Sequence, residues 1–172
     1  MRKILEAGIG SLIALLIPGS CFLLGLFLLR EHARFRWLTE ISTFPWELWV
    51  IAVGGIIATC GGILDWRFHR REGVKIGPHE RHCEFIALAV GGVPLFILMA
   101  FASLSSRPYL FLIPIVIVAL YTAVLICYDE FVFHRNRCGS GETLLHRMLV
   151  FGNGTAWLAW MHWCFVRNIP LG

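Results

Sequence analysis

Charge is scarce in this chain. Of its 172 residues, 15% are Asp, Glu, Lys or Arg and 58% are hydrophobic, and mean hydropathy is +0.72. An ordinary soluble domain carries roughly 25% charged residues. One core of this size cannot hide so much apolar surface, so a soluble globular domain is excluded. Long polar stretches are lacking as well. Only short connections separate the apolar runs, which leaves no room for a separate soluble domain.

Two smaller absences narrow the reading. The six cysteines, at 21, 60, 83, 127, 138 and 164, include no Cys-x-x-Cys pair. Zinc-finger spacing is therefore missing. Cys21 and Cys60 lie within apolar runs, where cysteine behaves as a small hydrophobe, and a disulfide framework is not expected. The first apolar run follows Met-Arg-Lys but has no Ala-x-Ala site after it, and it is longer than the ~7–15 residues of a signal-peptide core. Residues 5–29 are expected to be a retained span.

What the chain does have is five apolar runs, roughly 5–29, 46–64, 85–104, 108–128 and 144–166. About 20 residues suffice to cross a bilayer as a helix. The expected fold is all-α, a single integral membrane domain over residues 1–172 with five transmembrane helices. Lys and Arg in the short loops set the orientation. Arg2, Lys3, Arg67, Arg70, Arg71, Lys75, Arg81, Arg135, Arg137 and Arg147 fall on one side; Arg30, Arg34, Arg36, Arg107 and Arg167 fall on the other. The richer side is expected to be cytoplasmic (an inner membrane, in a bacterium), with the N-terminus inside and the C-terminus outside. The net charge of +4 is accounted for by these flanks, so the lipid bilayer is the expected partner and nucleic acid is not.

An internal repeat is visible. The stretch 65-DWRFHRREGVKIGPHERHCEFIALAVGG-92 resembles 130-EFVFHRNRCGSGETLLHRMLVFGNG-154. Asp65 falls on Glu130, Phe68 on Phe133, His69 on His134 and Arg70 on Arg135. After a longer loop in the first copy, Glu80 falls on Glu142 and Glu84 on His146. Spans 2 and 3 (46–104) and spans 4 and 5 (108–166) then form two hairpins of one direction, related by a pseudo-two-fold axis along the membrane normal. These four helices are expected to form a bundle, with span 1 outside it. Gly54, Ala58 and Gly62 on span 2, and Ala87 and Gly91 on span 3, have the small-residue spacing of close helix contacts.

The axis brings both hairpin tips together. Asp65–His69, Glu130–His134, Glu142–His146 and Glu80–Glu84 are pairs four residues apart, which on a helix share one face. They make eight candidate metal ligands, with His79 and His82 as neighbouring candidates. Clustered carboxylates raise one another's pKa, and two divalent cations resolve that repulsion. Mixed oxygen and imidazole ligation suits iron, with manganese or zinc as alternatives. The same residues are also of the kind that cap helices and pair with arginines at span ends.

The set Asp65, His69, Glu80, Glu84, Glu130, His134, Glu142 and His146 resembles that of the di-iron carboxylate four-helix bundles, the ferritin-like group, which includes membrane quinol oxidases of the alternative-oxidase type. Those proteins space their ligands Glu-x-x-His, one residue tighter than here. The resemblance implies two metal ions, most simply iron, and an oxidoreductase or oxygenase acting on a hydrophobic or lipid-like substrate at the cytoplasmic interface. A divalent-metal binding or transport protein, or an accessory subunit contacting partner subunits in a larger membrane complex, are the alternatives. His162, with Trp157, Trp160 and Trp163, reads as part of an interfacial aromatic belt. Asn153 is expected to make a helix–helix hydrogen bond, and Asp129 to face solvent or support a ligand.

Overall fold

The computed structural model describes residues 2–71, 82, 83, 85–134 and 140–167. Among them the protein is almost entirely helical, with five α-helices and no strand. Helix α1 spans Arg2–Leu29 and α2 spans Trp46–Arg71. A π-helical segment, Ala87–Gly92, leads into α3, Val93–Leu104. A short 3-10 turn, Pro108–Phe111, leads into α4, Leu112–Asp129, which continues as a π-helical segment, Glu130–His134. Helix α5, Ser140–Met161, ends in a third π-helical segment, His162–Arg167.

Four stretches are long and apolar enough to cross a membrane: Leu12–Leu29, Trp46–Phe68, Ala87–Leu104 and Pro108–Val132. They are apolar on the outside as well as within. Ile113, Ile117, Leu120 and Val124 line an exposed face of α4, each at least 60% exposed, which suits a helix that meets lipid rather than water. α5 is a long helix too, but it does not reach that apolarity. Gly152, Asn153, Gly154 and Thr155 interrupt it, and Glu142, His146 and Arg147 occupy its first turns.

The tightest seam joins α2 to α5. A side chain on Gly54 would collide with the backbone of Gly152 and Ala156, one on Gly61 with Leu145 and Met148, and one on Gly152 with Gly54 and Ala58. Small residues let backbones approach, and in lipid such van der Waals contact is a main attraction between helices. The expected small-residue face of span 2 is thus in use at Gly54 and Ala58. Gly61 continues it, while Gly62 turns instead toward Leu15 of α1. α3 packs on α4, where Gly91 leaves room for Thr122, whose hydroxyl donates back to the Val118 carbonyl at 2.8 Å. Chain neighbours α2 and α3 are therefore not the closest packing partners, because the matching small residues lie on α2 and α5.

Ala102, Ile115, Trp160, Cys164 and Phe165 form the core of the other seam, where α3, α4 and the end of α5 meet. Trp160 Nε1 donates to Ser103 Oγ at 2.9 Å, so the one polar atom of that indole is satisfied in place. Between α1 and α2 the chain folds into two 3-10 turns, Ala33–Leu38 and Ile41–Thr43. Phe35, buried, stacks on Trp163 and so ties this connection to the end of α5. Trp37 meets both Trp163 and Phe44 edge-on.

Candidate functional site

Polar side chains gather at the two ends of the helix pack. At one end stand Asp65 near the close of α2, Asp129 and Glu130 at the close of α4, and Glu142 and His146 at the start of α5. Gly61, one turn before Asp65, touches Leu145, which puts Asp65 at the level of the first turns of α5. Glu142 and Asp129 are buried, at 3% and 5% exposure. Glu130 Oε2 lies 3.4 Å from His146 Nε2. That is an ion contact rather than a well-formed hydrogen bond.

Of the expected ligands, then, this contact brings together Glu130 and His146, one from each helix of the second hairpin. Glu142 precedes His146 by one turn on the same helix. Glu130 begins a π-helical segment where an α-helical turn was expected; the wider turn still keeps positions four apart near one face. His82 is exposed. His79, Glu80 and Glu84 lie outside the described residues, as do the side chains of His69 and His134. Among the described residues, no group of three or more His, Cys, Asp or Glu side chains is placed to hold a metal ion. Of the two expectations for Asp129, facing solvent is not met: it is enclosed beside Glu130. Asn153 is exposed on α5.

The opposite end holds a group that sequence reasoning missed. Glu47, in the first turn of α2, has no exposed surface at all. Its Oε1 lies 2.8 Å from His162 Nδ1, and its Oε2 accepts from the Arg167 guanidinium at 2.8 Å. Both partners come from the π-helical end of α5 and are roughly half exposed. The Trp46 ring stands 5.2 Å from the His162 ring. His162 is thus part of an ion triad and not only of an aromatic belt.

Burying a lone carboxylate is expensive, and close partners offset that cost only when both oxygens are satisfied, as they are here. The position in the first turn also places the charge among free helix amides. A signal was available in the sequence: Glu47 is an acid at the start of span 2, and His162 and Arg167 end an antiparallel span. The two ends differ chemically. In the Glu47 triad each carboxylate oxygen has a bonded partner, while at the other end Glu130 meets His146. No known protein family, curated protein or solved structure matches this chain.

Proposed function

We propose that the chain is a five-span membrane protein whose spans 2 to 5 are two repeated hairpins. In this reading they hold two divalent metal ions at their cytoplasmic end, iron by preference, in an oxidoreductase acting on a hydrophobic or lipid-like substrate. The observation that carries the metal reading is the Glu130–His146 contact, set beside buried Asp129 and Glu142 in a pack that is otherwise apolar. Ionisable side chains enclosed within an apolar bundle are rare and commonly mark a functional site. Carboxylate oxygens with imidazole are the donors that suit iron, manganese or zinc.

The repeat has support in the packing. Carried along the alignment of Asp65 with Glu130 and of Glu80 with Glu142, Gly91 falls on Asn153 and Thr122 on Ile57. Gly91 meets Thr122 across α3 and α4. Across α2 and α5, Gly54 meets Gly152 and Ala156, and Gly61 meets Leu145, Met148 and Leu149. The contacts of Gly54 with Ala156 and of Gly61 with Leu149 are in the register that pairs position 57 with position 153, which supports a pseudo-two-fold axis.

Under this reading Asp65, Glu130, Glu142 and His146 act as ligands, joined by His69, His134, Glu80 and Glu84, with His79 and His82 beside them. Asp129 orients a ligating group from behind. Bound iron would supply the redox chemistry, and the helices hold the donors in place and keep water away. Metal analysis of the protein purified in detergent tests this. About two irons per chain support the reading. Zinc alone indicates a binding or transport protein, and no bound metal indicates an accessory subunit; either result overturns the oxidoreductase.

A further inference from the structure

The Glu47 triad depends on an unusual turn. His162 and Arg167 are five residues apart. On an α-helix, at 3.6 residues per turn, they would point about 140° apart, and one buried carboxylate could not bond both. The π-helical turn, with its i→i+5 hydrogen bonds, brings positions five apart nearly into line. His162–Arg167 has that geometry, and both side chains reach Glu47 at 2.8 Å. We propose that this segment is a two-state element: π-helical while the Glu47 carboxylate holds both side chains, and α-helical when that charge is withdrawn.

The physical case rests on competition. A π turn is rare and is usually confined to a single turn within an α-helix. Of the three among the described residues, the one at His162–Arg167 is bridged by two bonds from one enclosed anion. Among the described residues, Glu47, His162 and Arg167 are the charged or titratable groups bonded in the cluster, with the Trp46 ring against His162. The remaining residues of the segment are apolar apart from Cys164: Trp163, Phe165 and Val166. With the carboxylate neutral, Arg167, already half exposed, is free to turn to water. Each residue of the segment then turns by roughly 20° more than before, which rotates Cys164 by about 40° and Arg167 by about 100° relative to His162. Cys164 and Phe165, now buried, move toward the rim, and the contacts of Trp163 with Phe35 and Trp37 are broken. The connection between α1 and α2 is released with them. A change at one carboxylate is thus passed to a loop on another helix through packed rings.

The experiment uses the full chain in lipid nanodiscs, with Cys164 as its sole cysteine, the other five replaced by Ser. Two quantities are measured: maleimide labelling of Cys164 and amide exchange over 162–167. The Glu47→Gln change is expected to raise labelling about tenfold, as the open form becomes populated, while the amides stay protected, because an α-helix replaces the π turn. Arg167→Gln, which removes a partner without touching α2, is expected to do the same if Glu47→Gln fails to fold. Arg167→Lys, which keeps the charge, is expected to label as slowly as the parent. Unchanged labelling overturns the proposal. So does faster labelling with rapid amide exchange, because that is fraying and not a change of helix.

Discussion

Glu47 and Arg167 stand 120 residues apart in the chain and 2.8 Å apart in space. One begins α2 and the other closes α5, so this ion pair fixes one end of the tightest helix seam in the molecule. Glycine contacts hold the middle of that seam, and its far end reaches the acidic cluster around Glu142. The ion triad at one end and the acids at the other therefore share one pair of helices.

The triad is expected to respond unequally to its members. Arg167→Ala leaves a fully enclosed carboxylate with His162 alone, and losing one partner of a buried pair costs about 3–5 kcal/mol. Glu47→Gln leaves the arginine half exposed and able to reach water, so its cost should be nearer 1–2 kcal/mol. Thermal unfolding in detergent, followed by helical circular dichroism, ranks the two variants. Equal losses would mean that Glu47 is not enclosed as described.

The seam itself separates two glycines of identical chemistry. Gly61→Ala would place a Cβ 2.8 Å from the Leu145 carbonyl oxygen and from Met148 Cβ. One helix must then shift, and overpacking of this kind costs about 1–3 kcal/mol. Gly55→Ala meets open space and, since glycine is a poor helix former in mid-helix, should stabilise by up to about 1 kcal/mol. The same unfolding assay checks the sign of each change. A tolerated Gly61→Ala would show that the helices do not touch there.

Ser103 tests the second seam. Its hydroxyl accepts from the Trp160 indole at 2.9 Å. Ser103→Ala strands that N–H among apolar side chains, at a cost of about 1–3 kcal/mol. Indole fluorescence alongside unfolding would report the loss locally, and no change in either would remove this bond from the account.

Much of the architecture was legible in the residues themselves. Four of the helices follow from apolar runs of membrane length, and the close approach at Gly54 and Ala58 follows from small residues one turn apart. The pairing of α2 with α5 was not legible, because small residues show which face is narrow but not which helix lies against it. At the site, the acids and histidines of the second hairpin were recognisable by their spacing, yet spacing within a helix cannot show that Glu130 meets His146 on the next one. Whether Asp129 faces solvent or supports a ligand stayed open for a related reason. Position around a helix gives a direction, and only packing decides whether that direction meets solvent. Glu47 was overlooked because a single acid at a span start looks like an interfacial charge until its partners, more than a hundred residues away, are brought to it. The π turn that lets both partners reach it leaves no mark in residue order.

The central claim is that carboxylates and imidazoles at one end of the bundle bind two divalent ions. The most direct measurement is an anaerobic titration of metal-stripped protein with ferrous iron, run on the parent chain and on Glu142→Gln and His146→Ala. The account predicts saturation near two irons per chain for the parent and at least a tenfold weaker affinity in each variant, about 1.4 kcal/mol or more. Iron binding that is absent from the parent, or unchanged in both variants, would contradict it.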